Sequence, residues 1–136
     1  MATWAFYSDA GLSSALSELS CTQTTSTFHV WFGSTTSGYK LIPATSGATG
    51  IYVVCNDSAT GGHAVSAIKM ASGSAGLAGA SGGANYDLGA AVFGGVANAA
   101  EFWIQVTDAV GSGAKSTELS LSIEDSAAGG LYQTAT

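Results

Sequence analysis

Strict two-residue alternation is the feature that most limits what this chain can fold into. In Ser116-Thr-Glu-Leu-Ser-Leu-Ser-Ile-Glu-Asp125, Leu119, Leu121 and Ile123 alternate with Ser120, Ser122 and Glu124. In Glu101-Phe-Trp-Ile-Gln-Val-Thr-Asp108, Phe102, Ile104 and Val106 alternate with Trp103, Gln105 and Thr107. A third run sets Phe28, Val30 and Phe32 against His29 and Trp31. Successive side chains of a strand point to opposite faces, so each run is a strand with one apolar face and one outward face. The segments 3–7, 16–21, 40–43, 51–55 and 64–71 are shorter runs of the same kind. Gly, Ser, Asn and Asp cluster between them, as in 33–38, 45–50, 56–62 and 110–114. Strands at this spacing predict an all-β chain, an antiparallel β-sandwich of immunoglobulin-like type with about 7–9 strands. The runs at 101–108 and 116–123, joined by a glycine-containing loop, predict a hairpin.

Residues 1–126 read as one sandwich domain. The segment 127–136, with its Gly129-Gly130 pair, reads as a C-terminal tail or docking arm. The low-complexity stretch 71–84 is either a flexible loop or one short helical turn held by Leu77. That stretch or the arm is expected to make part of a contact with a neighbour.

Composition constrains function by exclusion. Ala, Gly, Ser and Thr fill 76 of the 136 positions, and the charged residues are nine acids and three lysines with no arginine. A net charge of −6 leaves nothing to neutralise a row of phosphates, so nucleic acid is not an expected partner. The outward positions are short and polar. Such a surface loses little side-chain entropy on contact and suits packing against neighbours. The stretch 89–106 is interrupted by glycines, Asn98, Glu101 and Gln105, so no membrane insertion is expected. Residues 2–9 have no basic region and reach an acid by Asp9, unlike a secretory signal.

No catalytic, cofactor-binding or metal-ligating set emerges, and the chain is not expected to be an enzyme. His29 and His63 are the two imidazoles, and neither sits in a nucleophile motif. Asp57, Asp108, Glu124 and Asp125 fall near strand ends and read as solvated turn acids. Cys21 and Cys55 are in phase with apolar residues and read as two small buried hydrophobes rather than a bridge. Asn56-Asp-Ser58 matches a glycosylation sequon, a pattern that recurs by chance. Trp4, Trp31 and Trp103 raise a sugar-stacking alternative, against an expectation that one fills the centre and the others cover the edges.

Four phrases together carry a family resemblance: Phe6-Tyr-Ser-Asp-Ala-Gly-Leu12, Trp31-Phe-Gly-Ser-Thr-Thr-Ser-Gly-Tyr-Lys-Leu41, Gly94-Gly-Val-Ala-Asn-Ala-Ala-Glu-Phe-Trp-Ile104 and Glu118-Leu-Ser-Leu121. The chain resembles small immunoglobulin-like accessory proteins of tailed bacteriophage particles. The resemblance implies a structural, non-enzymatic role decorating the capsid surface and stabilising the shell. It implies a place in the virion after assembly in the bacterial cytoplasm, in many copies or as a homo-oligomer, with the major capsid protein or other virion proteins as partners. It supplies no binding residues. The alternative is a carbohydrate-binding or adhesin module contacting host-surface glycans.

Overall fold

The computed structural model describes residues 2–20, 24–58, 64–108 and 119–136. Among them the chain forms ten strands: β1 (Ala5–Tyr7), β2 (Thr24–Gly33), β3 (Tyr39–Pro43), β4 (Ile51–Asp57), β5 (Ile68–Ala71), β6 (Tyr86–Gly89), β7 (Val92–Phe93), β8 (Ala100–Asp108), β9 (Leu119–Asp125) and β10 (Leu131–Ala135). They make three sheets, ordered β1-β2-β8-β5, β10-β3-β7 and β6-β4-β9. Every pairing is antiparallel. The fold is therefore all-β.

The alternating runs fall as their periodicity predicts. Val30, Phe32, Phe102 and Ile104 are buried, and their neighbours His29, Trp31, Glu101 and Trp103 point the other way. One hydrophobic cluster joins them to Leu41, Ile51, Val53, Ile68, Met70 and Val92, so strands of all three sheets share a core. Phe102 lies at its heart, fully buried, with Tyr86 stacked at 5.3 Å and Phe6 edge-on at 6.2 Å. Leu119, Leu121 and Ile123 pack against the cluster from β9.

Several expectations change. The runs at 101–108 and 119–125 are not a hairpin: β8 pairs with β2 and β5, whereas β9 pairs with β4. Ten residues separate them, enough chain to reach another sheet. Alternation reports which face is buried but not which strand lies alongside. The loop half of the expected hairpin falls outside the described residues, as do Cys21 and His63. Residues 16–20 are not a strand: the chain bridges β1 just before them, at Tyr7–Ala15, and the Leu16 amide donates to the Phe6 carbonyl (2.8 Å), while Leu16 and Leu19 still pack inward. Val65–Ala67 is a 3₁₀ turn leading into β5. Within 71–84, the 3₁₀ helix Ser74–Gly79 is held by Leu77, whose side chain is buried.

The segment 127–136, read from the sequence as a tail or arm, contains β10, which pairs along its full length with β3. Gln133 faces inward opposite Leu41 and clasps the other end of the chain. Its Oε1 accepts from the Trp4 indole N–H (2.8 Å) and from the Ala2 amide (3.2 Å).

Asp125 explains how β9 turns into β10. Its carboxylate is buried, and it accepts from the backbone amides of Gly129 (2.7 Å), Ala127 (2.9 Å) and Thr45 (2.9 Å). A bond from the Thr45 hydroxyl, joined by these amides, outweighs desolvation and lowers the carboxyl pKa to about 2. Because the folded pKa lies below the unfolded one, this group adds stability above about pH 4. That contribution is lost as the pH falls through about 2. Asp125→Asn should therefore lower the melting temperature at pH 7 and bring the variant and parent curves closer together between pH 4 and pH 2. Parallel curves across that window would show that the ionised form is not what the site binds.

Candidate functional site

The outward face of the β1-β2-β8-β5 sheet is the most chemically varied part of the described surface. The β2–β8 register places His29 opposite Trp103 and Trp31 opposite Glu101. Tyr7 of β1 lies opposite Trp31, and Ala71 of β5 opposite Trp103. The next row carries Thr27, Gln105 and Lys69.

The imidazole of His29 is the hub of this face. Its ring centroid lies 3.9 Å from that of Trp103, with the planes 9° apart. It also lies 3.9 Å from that of Trp31, tilted by 34°. Two indoles that close cannot share one face of a five-membered ring, so they occupy opposite faces. Each indole spends one side on the imidazole, and among the described residues no other ring stacks on either of them. Both remain half-buried rather than covered.

Glu101 completes the cluster. Its carboxylate lies 3.1 Å from His29 Nε2, an ion pair whenever the imidazole is protonated. The contact has the distance of a hydrogen bond but not its direction, and Nε2 is closed off from water. The Glu101 side chain is 54% exposed, so its oxygens also face solvent.

Beside His29 runs an open groove of about 430 Å³, between β2 and the chain at 16–20. Leu16, Leu19 and Phe28 give it an apolar floor. Ser8, Glu18, Ser20 and Thr27 give it a polar rim, and His29 is the wall it shares with the indole stack.

A second surface lies on the β10-β3-β7 sheet. Phe93 (46%) and Tyr132 (57%) are two of the three exposed large hydrophobic residues among those described. The register puts Phe93 opposite Lys40 and Tyr132 opposite Ile42, so all four share the outward face. The Lys40 ammonium sits 5.9 Å from the Phe93 ring centroid, within cation–π range.

The remaining candidates of the sequence are placed as follows. None of the three tryptophans fills the centre, which belongs to Phe102. Trp4 covers an edge against Phe32, while Trp31 and Trp103 face outward. Asp125 is a buried lock rather than a solvated turn acid; Asp57 is exposed at the end of β4. Cys55 is a free, half-buried thiol packed against the core, and burial pushes its pKa up to about 11, far from a nucleophile's. The Asn56 amide is committed to Ser122 Oγ at 2.9 Å. Among the described residues no three His, Cys, Asp or Glu side chains converge as metal ligands. Glu101 and the groove were not visible as site elements in the sequence. The outward phase of Trp31 and Trp103 was, but their meeting across His29 depends on register. Comparison with protein-family models, with curated proteins and with solved structures finds no match.

Proposed function

We propose that this chain is a non-enzymatic structural protein of a bacteriophage particle, an immunoglobulin-like sandwich that decorates the capsid in many copies. The observation that carries the reading is the apolar outward face of the β10-β3-β7 sheet. Phe93, Tyr132 and Ile42 share it with Lys40, the one cation placed there among the described residues. Aromatic side chains beside a positive head are what a protein interface enriches at its centre.

The docking partner is a shell subunit that presents a carboxylate to Lys40. Charge favours that partner over a second copy in solution. Each chain carries −6 overall, so free copies repel, while a shell surface that is basic overall attracts them and one acid within it pairs with Lys40. The sequence resemblance to phage accessory proteins and the Ser-, Thr-, Gly- and Ala-rich surface support the same reading. Each docked copy would add buried area at a subunit junction and so stabilise the shell by mass action.

The test is density-gradient sedimentation of the native lysate. The chain is expected to travel with intact particles at a stoichiometry near that of the major shell protein. A Phe93→Ser/Tyr132→Ser variant is expected to remain folded and to stay at the top of the gradient. Parent protein at the top, or only a few copies per particle, would overturn capsid decoration.

A further inference from the structure

The groove beside His29 and the indole stack are one continuous surface, because His29 belongs to both. We infer that this surface binds a neutral oligosaccharide, with one sugar ring against an indole and the next in the groove. This inference stands apart from the particle reading: it concerns a different sheet, and its test uses the isolated chain.

Three features of the site point to that ligand class. A pyranose has one face of C–H groups and an equator of hydroxyls. Trp31 and Trp103 each keep one ring face clear of other described rings, the flat apolar partner such a C–H face needs. The rim then supplies hydroxyls and carboxylate oxygens that can pair with the equator: Ser8 and Thr27 in the groove and Glu101 beside the stack. A volume of about 430 Å³ is of the size that holds a small ligand.

Charge decides between sugars. Glu18 lines the groove and Glu101 flanks the stack, while the one cation that the described residues place on this face, Lys69, stands beyond Gln105. An anionic glycan would meet two carboxylates, so the fitting ligand is uncharged. A quaternary ammonium would suit aromatic rings with acids, but it needs an open cage. Here His29 already fills the space between the two indoles.

The experiment titrates the full chain with maltohexaose, cellohexaose and chitohexaose, following tryptophan fluorescence and checking by calorimetry. At least one of them is expected to saturate the signal by millimolar concentration, with sialyllactose weaker than whichever neutral sugar binds. Trp103→Ala is expected to weaken binding about tenfold. Thr27→Trp, which fills the groove from an exposed position, should do the same without changing the thermal melt. This second variant keeps the test decisive if the first unfolds. No response to any neutral sugar, full affinity in Thr27→Trp, or a response to choline alone would each overturn the inference.

Discussion

Alanine at position 102 is expected to cost the fold about 3–5 kcal/mol and to lower its melting temperature by roughly 10–20 °C. Phe102 is fully buried, and its ring is in contact range of both Tyr86 and Phe6. It stands on β8, the strand that joins β2 to β5, so its loss opens a hole beneath the middle of the four-stranded sheet. Removing the ring forfeits its transfer free energy and leaves a cavity that antiparallel strands on both sides keep from collapsing. Domains of this size are stable by only about 5–15 kcal/mol, so the variant would keep a fraction of that margin. Denaturant unfolding followed by tryptophan fluorescence measures it. A loss below about 1 kcal/mol would mean that the neighbouring side chains refill the space and that Phe102 is not the keystone described.

Gly94→Ala is the second large effect, and it acts through the backbone. Gly94 is buried, and a β-carbon there would fall on the carbonyl oxygen of Thr36 and press on that of Tyr39. The same glycine donates its amide to Tyr39 at 2.8 Å, so it cannot back away without breaking the end of the β3–β7 pairing. Neither obstacle is a flexible side chain. The expected cost is on the order of 2–3 kcal/mol, at the upper end for overpacking a well-filled site. Its neighbour Gly95 is constrained differently: its φ of 105° lies in the left-handed region, where a side chain is strained whatever the space. Circular dichroism melts of the two alanine variants would separate the mechanisms. Relief of the Gly94 variant by Thr36→Gly would be unexpected, because the clash is with a carbonyl and not a side chain.

The two alanine predictions also mark where sequence reasoning succeeds and where it stops. Faces were legible: alternation alone sorted Phe102 and Ile104 from Trp103, and Val30 and Phe32 from Trp31, because a strand's two-residue period is local. Partners were not. The β8 and β9 runs looked like a hairpin because they are successive, but each is bound to a strand far away in sequence. Gly94 read only as one of the glycines interrupting the stretch 89–106, since Thr36, the group that requires glycine there, lies in a distant loop. Asp125 read as an ordinary turn acid because the amide of Thr45, one of its donors, lies far off in the chain. The strand β10 was hidden for a related reason. Leu131-Tyr-Gln-Thr-Ala135 has a single strongly apolar inward residue, and the inward side chain beside it is the polar, half-buried Gln133, whose partners Ala2 and Trp4 lie at the other end of the sequence. Within the candidate site, the outward phase of both indoles was readable. The stack itself was not, because the opposition of His29 and Trp103 is a fact of register between strands about seventy residues apart.

The clasp made by Gln133 has a consequence for how the chain tolerates being re-cut. It holds residue 2, itself buried, within hydrogen-bond distance of residue 133. A linker of a few residues would span that gap at small loop-closure cost. The chain should therefore accept circular permutation, with new ends opened at an exposed connection such as 84–85 and residues 2 and 133 bridged beside the clasp. Connectivity at that seam is then interchangeable, and the geometry of the sheets, not the order in which the strands are strung, defines the native state.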